Sequence, residues 1–211
     1  ATVKILPGDS VTWTNRDPFL HTTTSGTGTP PVANGIWNSG SLSQNASFTW
    51  AFPTVGTFPY FCAIHTTMRG TVLVASPLSP TAAAALGNGS SAALQGVVVT
   101  GIFPGGFWVE STDRLGGIYV ASSFVPVMNQ GLDIIGSITT VNGRKTLNAD
   151  IVRPTDKVTS AIRPIGFVNK SLGVAPNNPG ILVRVWGKTT TDQGADYFMI
   201  SDGSPGASVK V

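Results

Sequence analysis

The chain has 211 residues, with 13 Lys and Arg against 10 Asp and Glu, which gives a formal net charge of +3. This surplus is too small to predict nucleic-acid binding by charge. Charged residues make up 11% and hydrophobic residues 41% of the chain, which excludes a disordered protein. A single cysteine excludes an internal disulfide framework, and no apolar run is long enough to span a bilayer. A surface covered mainly by Ser, Thr, Asn and Gly is typical of exported proteins, so we expect an extracytoplasmic location.

Residues 1–75 predict β-strands throughout. Short β-rich segments alternate with turns that contain Gly, Pro, Asn or Ser. The predicted strands are Thr2–Ile5, Val11–Asn15, Phe48–Phe52, Thr57–Phe61 and Thr71–Ala75. No segment here has a sustained helical period, so we expect an all-β fold class.

The segment from Tyr60 to Gly70 carries three side chains that bind soft metal ions. Cys62, His65 and Met68 supply a thiolate, an imidazole and a thioether within seven residues, and His21 is the only other histidine. Two imidazoles, one thiolate and a weak axial thioether are the donor set of a blue-copper electron-transfer site. If only one of these residues were present, a structural role would be favoured over metal binding. Zinc is the main rival metal by ligand type, although methionine as the fourth ligand disfavours it.

Two segments resemble the cupredoxins, the small blue copper proteins. They are Asp17–His21 and Tyr60–Gly70, and the Cys-x-x-His-x-x-Met spacing of the second is similar to that of amicyanin. The resemblance covers residues 1–75, although no segment corresponds to the first strand of the family. It implies a β-sandwich that holds one type 1 copper ion through His21, Cys62, His65 and Met68. It also implies single-electron transfer rather than catalysis.

The resemblance carries two further expectations about the surroundings of the metal. His65 is expected near the surface, where a redox partner protein would dock against a ring of apolar residues. Candidates for that ring are Pro18, Phe19, Leu20 and Ile64. The residue after the first histidine is Thr22, which is expected to join the two ligand loops and to direct its N–H toward the Cys62 sulfur.

The second half of the chain predicts further β-modules after a linker. Residues 76–91 are rich in Pro, Ala, Gly and Ser, which favours a linker. Residues 92–158 predict five strands, with an Asn142-Gly143 hairpin, in a small OB-like β-barrel. Residues 159–179 are then a connector. Residues 180–211 repeat the pattern of the first three barrel strands, so we expect a partial second OB-like repeat.

Two functions remain open from the sequence. The first is a blue copper protein that carries single electrons. The alternative is a structural or adhesive cell-surface protein with a secondary copper site, which assembles through its chain ends because the terminal sheets are incomplete. Aromatic residues of this half could stack on bases, with basic residues nearby, but an ordinary packing role is favoured over nucleic-acid binding. The aromatic residues are Phe107, Trp108, Tyr119 and Trp186, and the basic residues are Arg114, Arg144 and Lys145.

Overall fold

The computed structural model describes residues 1–156, 161–172, 180–191, 197–204 and 209–210. These residues confirm the all-β fold class. The described helices are α1 (Pro80–Ala84) and one 3-10 turn (Asn169–Ser171), and none is long and apolar enough to cross a membrane. The chain divides into two compact units, Ala1–Pro77 and Leu78–Val211.

The first unit contains seven strands in two sheets. The strands are β1 (Thr2–Ile5), β2 (Asp9–Thr14), β3 (Thr24–Thr27), β4 (Val32–Asn38), β5 (Ser47–Phe52), β6 (Gly56–Phe61) and β7 (Arg69–Val74). One sheet has the order β1-β7-β6-β3-β4, and the other is the antiparallel pair β2-β5. The turn between β1 and β2 uses the positive φ of Gly8, as the sequence predicts.

The two sheets of the first unit face each other across one core. Alternate residues of β2 and β5 point inward, as the period of a strand requires. The buried members come from both sheets and are Ile5, Trp37, Phe52, Val72 and Val74. Most aromatic residues packed against them are only half-buried, among them Trp13, Trp50 and Tyr60. The sandwich therefore has a small closed core beneath a partly open layer of aromatic rings.

The second unit is built on a closed five-stranded barrel. Its strands are β8 (Ser91–Phe103), β9 (Gly106–Glu110), β10 (Gly117–Ala121), β11 (Gly131–Val141) and β12 (Arg144–Pro154). They close in the order β10-β12-β11-β8-β9. Asn142 and Gly143 join β11 to β12 with φ values of 50° and 77°, which confirms the predicted hairpin. Five strands agree with the barrel expected for residues 92–158, while its OB type stays a prediction.

Short strands follow the barrel. They are β13 (Ile165–Gly166), β14 (Val183–Arg184), β15 (Lys188–Thr191), β16 (Phe198–Ser201) and β17 (Val209–Lys210). β13 pairs with β14, and β15, β16 and β17 form a three-stranded antiparallel sheet. The second OB-like repeat expected over 180–211 stays a prediction, since part of that range and of the connector lies outside the described residues.

The segment expected to be a linker, residues 76–91, differs from that expectation. It contains α1, whose N-terminus is capped by the Ser79 side chain accepting the Ala82 N–H at 3.1 Å. Ala83 is fully buried in the barrel core, and Leu78 and Leu86 pack against that core. The alanines therefore form a helical turn that is stabilised by tertiary packing, which composition alone could not reveal.

Candidate metal centre

The loop that carries His21 is held by a buried asparagine. Asn15 directly follows β2, and its side-chain amide donates to the carbonyls of Phe19 (2.8 Å) and Leu42 (2.9 Å). Its side-chain oxygen accepts the Asp17 N–H at 2.9 Å. His21 then forms a two-way backbone bridge with Leu42, at 3.2 and 2.7 Å. The backbone of the first histidine is therefore fixed against a neighbouring segment rather than left on a free loop.

The second ligand loop begins where β6 ends. Cys62 is 4% exposed, and its N–H donates to the Met68 carbonyl at 3.0 Å. The Met68 N–H in turn donates to the His65 carbonyl at 2.8 Å. These two bonds close the seven residues into a tight loop. Arg69, at the start of β7, adds hydrogen bonds to the carbonyls of Thr66 and Gly28.

Three of the four predicted ligands converge in space. The Cys62 sulfur lies 3.7 Å from Nδ1 of His21 and 3.7 Å from Nδ1 of His65, and the two Nδ1 atoms are 3.2 Å apart. The point equidistant from three atoms at these separations is about 2.1 Å from each atom. Imidazole nitrogen and thiolate sulfur bind metal ions such as zinc at about this distance. The donor atoms therefore fit a single trigonal metal site without rearrangement.

Met68 is positioned by its backbone but is less enclosed than the other three residues. Its side chain is half-exposed and lines the same open cavity, of about 600 Å³, as His21 and Cys62. The assignment of its thioether as the fourth ligand stays a prediction.

Thr22 joins the two ligand loops in the way expected from the sequence. Its N–H donates to the Cys62 sulfur at 3.3 Å, and its hydroxyl oxygen accepts the Ala63 N–H at 2.8 Å. Burial by itself raises the pKa of the Cys62 thiol, but hydrogen bonds from Thr22, His65, His21 and Ile64 outweigh it and lower the pKa to about 6. The sulfur is thus held as a thiolate, the form that binds metals.

The outer ring nitrogen of His21 faces a carboxylate. Nε2 of His21 is buried without a hydrogen-bond partner among the described residues, and Oδ2 of Asp17 lies 3.7 Å from it. Because Nδ1 is turned toward the cluster, a neutral His21 that binds metal must carry its proton on Nε2. The position of Asp17 beside His21 and the anchoring role of Asn15 could not be predicted from the sequence, since only the folded loop shows which groups these side chains contact.

Apolar side chains stand exposed on both ligand loops. Phe19 is 70% exposed, and Leu20 and Ile64 are about half-exposed. They flank His21 and His65 in sequence, and the imidazole rings of those two residues are 4.7 Å apart. Exposed apolar residues on adjoining loops are suited to contact with another protein.

The basic and aromatic residues singled out on the barrel are occupied within the barrel. Phe107 is fully buried in the core. The Arg144 guanidinium lies 3.9 Å from the centroid of the Tyr119 ring and 5.6 Å from that of Trp108. Lys145 donates to the Leu86 carbonyl at 2.8 Å. In the described barrel these aromatic faces are covered by the chain's own cation, which leaves them poorly suited to stack on bases.

The chain is similar to solved structures of cupredoxins over part of its length. No family model matches the chain, and no curated protein matches it. A purple cupredoxin from Nitrosopumilus maritimus is 30% identical, with a TM-score of 0.33, over 35% of this chain and 77% of that chain. A reduced Cu(I) form of an amicyanin mutant at pH 4 is 26% identical, with a TM-score of 0.31, over 35% of this chain and 69% of that chain. A second amicyanin mutant in the Cu(I) form gives the same values. The solved structures that this chain resembles are thus cupredoxins, and the similarity covers about a third of its residues.

Proposed function

We propose that the chain is a blue copper protein of the cupredoxin kind, and that it carries single electrons through one type 1 copper ion. The convergence of one thiolate and two imidazole nitrogens within 3.7 Å of one another carries this proposal. His21, Cys62 and His65 would hold the ion, and the thioether of Met68 would be a weaker fourth ligand. When bound, copper in such a site alternates between two oxidation states one electron apart.

The chain's own residues prepare this site for electron transfer. The Thr22 N–H stabilises the thiolate, and Asn15 and Thr22 fix the two loops on which the ligands lie. Because the donor atoms are already in place, little rearrangement accompanies a change of charge at the site. Cys62 is buried and excludes water from the sulfur, while His65 is only partly buried and is the route by which electrons would enter or leave.

The same arrangement favours an electron carrier over an enzyme. Both histidines of the chain belong to this cluster, so the sequence has no imidazole left for a second copper centre. A redox partner protein would dock on the exposed Phe19, Leu20 and Ile64 beside His65. A working location outside the cytoplasm is supported by the low content of charged residues.

Copper loading followed by visible and EPR spectroscopy tests the proposal. The oxidised protein should be intensely coloured by the thiolate-to-Cu(II) transition, and ascorbate should bleach it reversibly. Cys62→Ser should lose the band while its circular dichroism stays unchanged, because serine supplies no soft thiolate. A colourless wild-type protein after loading and oxidation would contradict the proposal. A site that binds zinc and copper alike but shows no reversible voltammetric wave would favour the structural or adhesive alternative.

Met68 has its own test. Met68→Leu should keep the coloured band, because the thiolate remains, and should shift the reduction potential, which the axial ligand tunes. A reduction potential equal to that of the wild type would remove Met68 from the ligand set and leave the other three in place.

A further inference from the structure

The two ring nitrogens of His21 have different surroundings. Nδ1 faces the donor cluster, 3.7 Å from the Cys62 sulfur and 3.2 Å from Nδ1 of His65. Nε2 is buried and has no hydrogen-bond partner among the described residues. Buried polar atoms in proteins nearly always have a partner. The group that stands beside Nε2 therefore decides how a proton on that nitrogen is accommodated.

The carboxylate of Asp17 stands beside this nitrogen in a fixed orientation. Its Oδ2 atom lies 3.7 Å from Nε2 of His21. Its Oδ1 atom accepts the Phe19 N–H at 2.9 Å, and the Asp17 N–H donates to the side-chain oxygen of Asn15 at 2.9 Å. Asn15 is itself buried and donates to the Leu42 carbonyl. Both the backbone and one carboxylate oxygen of Asp17 are therefore held, while the other oxygen faces the imidazole.

The carboxylate distinguishes the two histidines of the cluster. Among the described residues His21 has an ion-pair partner, and His65 has none. A carboxylate behind a metal-binding imidazole fixes its tautomer and raises its basicity. This effect would act on one of the two imidazole ligands.

We propose that Asp17 is a positioning residue for the metal centre, an inference that rests on the proposed copper function. Its carboxylate accepts the Nε2–H of His21, which leaves the lone pair of Nδ1 available to the metal. A more basic imidazole stabilises Cu(II) more than Cu(I), because the higher charge attracts the donated electron pair more strongly. Asp17 therefore strengthens metal binding and lowers the reduction potential.

The exposure of Asp17 separates this role from that of an ordinary surface charge. Its side chain is 49% exposed, whereas that of His21 is 14% exposed. The direct Coulomb effect of an exposed charge on the metal is screened by water and salt. A hydrogen bond that acts through the buried imidazole is not screened in this way, so its effect should persist at high ionic strength.

Asp17→Asn in the full chain tests the proposal, with zinc as the probe. An asparagine side chain has a single acceptor oxygen. If that oxygen keeps the Phe19 N–H, the NH₂ group faces Nε2 of His21 and cannot accept its proton. Zinc affinity, measured against a chromophoric chelator, should fall about tenfold or more. Affinity equal to that of the wild type would overturn the proposal.

Asp9→Asn is the matched control. Asp9 begins β2, at the opposite end of that strand from Asp17, and accepts the Leu6 N–H at 2.7 Å. The substitution removes the same charge from the same unit and should leave zinc affinity at the wild-type value. An equal loss of affinity in the two variants would overturn the proposal, because net charge alone would then explain it.

Two spectroscopic and electrochemical measurements detect the hydrogen bond itself. In the zinc-loaded protein, ¹H–¹⁵N NMR should show the His21 Nε2–H proton at low field in the wild type and at higher field in Asp17→Asn. In the copper-loaded protein, Asp17→Asn should have a more positive reduction potential, and the shift should persist in about 1 M salt. A shift that disappears at this salt concentration would overturn the proposal in favour of a surface charge effect.

The zinc measurements also separate this proposal from the proposed function, because zinc has no redox chemistry. Weaker zinc binding in Asp17→Asn, in a chain that shows no coloured copper band, would keep the role of Asp17 and reject electron transfer. Unchanged zinc binding in Asp17→Asn, in a chain that shows the band, would reject the role of Asp17 and keep electron transfer.

Discussion

The sandwich of the first unit and the barrel of the second are both made of strands, but they bury their apolar residues to different extents. Among the described residues, thirteen form the buried barrel core, whereas five form the buried sandwich core. The sandwich carries the cysteine and both histidines, and it leaves most of its aromatic rings half-exposed. The barrel is closed and has no free edge within its five strands.

This difference indicates a division of labour within the chain. A closed barrel satisfies its backbone internally and gains stability from burial. The first unit keeps ligand loops and a cavity accessible, which reactive sites require. Substitutions in the barrel core should therefore lower stability most and leave the metal site unaffected, whereas substitutions at the ligand loops should change metal binding more than stability.

The largest change in unfolding free energy is expected when the buried ion pair of the second unit is removed. Glu110 is fully buried, and the Arg114 Nε atom lies 2.8 Å from its carboxylate while the same guanidinium donates to the carbonyls of Arg163 and Leu182. Arg114→Met should cost about 3–5 kcal/mol of unfolding free energy, because an uncompensated charge stays buried. Arg144→Met, in which only an exposed cation–π contact is lost, should cost about 1 kcal/mol. Chemical denaturation measures both losses of unfolding free energy, and equal losses in the two variants would contradict this interpretation.

Core truncation gives the next largest difference between the units. Leu147 is fully buried in the barrel, so Leu147→Ala should destabilise it by about 2–5 kcal/mol. Val11 is half-buried on the open flank of the sandwich, so Val11→Ala should cost about 1 kcal/mol. Hydrogen exchange measured on peptides from each unit should assign each loss to its own unit. A larger loss in the Val11 variant would contradict the comparison of the two cores.

A smaller effect on stability is expected at the junction of the ligand loops. Thr22→Val removes the acceptor of the Ala63 N–H, which is near solvent, so the stability loss should be about 1 kcal/mol. Copper affinity should fall about tenfold, since the two loops are no longer joined by that hydroxyl. Thr22→Ser keeps the hydroxyl and should bind copper like the wild type, as isothermal titration with a competing chelator can measure. Equal affinity in the two variants would show that the hydroxyl does not position the ligands.

The smallest effect is a pH dependence confined to the first unit. The pKa of Cys62 is lowered from 9.0 to about 6, so the thiolate of the metal-free fold persists down to that pH. The unfolding free energy should therefore rise as pH increases from about 6 to 9, where the unfolded thiol is still protonated, and this contribution should vanish below about 6. Ultraviolet thiolate absorbance, with Cys62→Ser as the blank, measures the titration. A midpoint near 9 would contradict the hydrogen-bonded thiolate.

Much of the strand pattern could be predicted locally, because inward and outward residues alternate along β2 and β5. Strands β3 and β4 were missed, since Thr24–Thr27 is made of small residues and Val32–Asn38 is mostly exposed and contains a glycine with positive φ. Their strand state depends on pairing with β6 and with each other rather than on apolar alternation. The packing of helix α1 could not be predicted, because a single turn at the alanines is stabilised only by contact with the barrel core.

The metal-binding side chains of the first unit could be identified without a structure. One cysteine, two histidines and a methionine at short spacing restrict the metal chemistry, because side-chain donor types are a property of composition. How those donors meet and what fixes them depends on the fold. The Nδ1 atoms of His21 and His65 are 3.2 Å apart although the residues are 44 positions apart in sequence. This separation depends on hydrogen bonds between loops, which Asn15 makes with Leu42 and Thr22 makes with the Cys62 loop. The pairing of β2 with β5 is likewise a result of the fold, because partners distant in sequence are set by packing rather than by any local pattern.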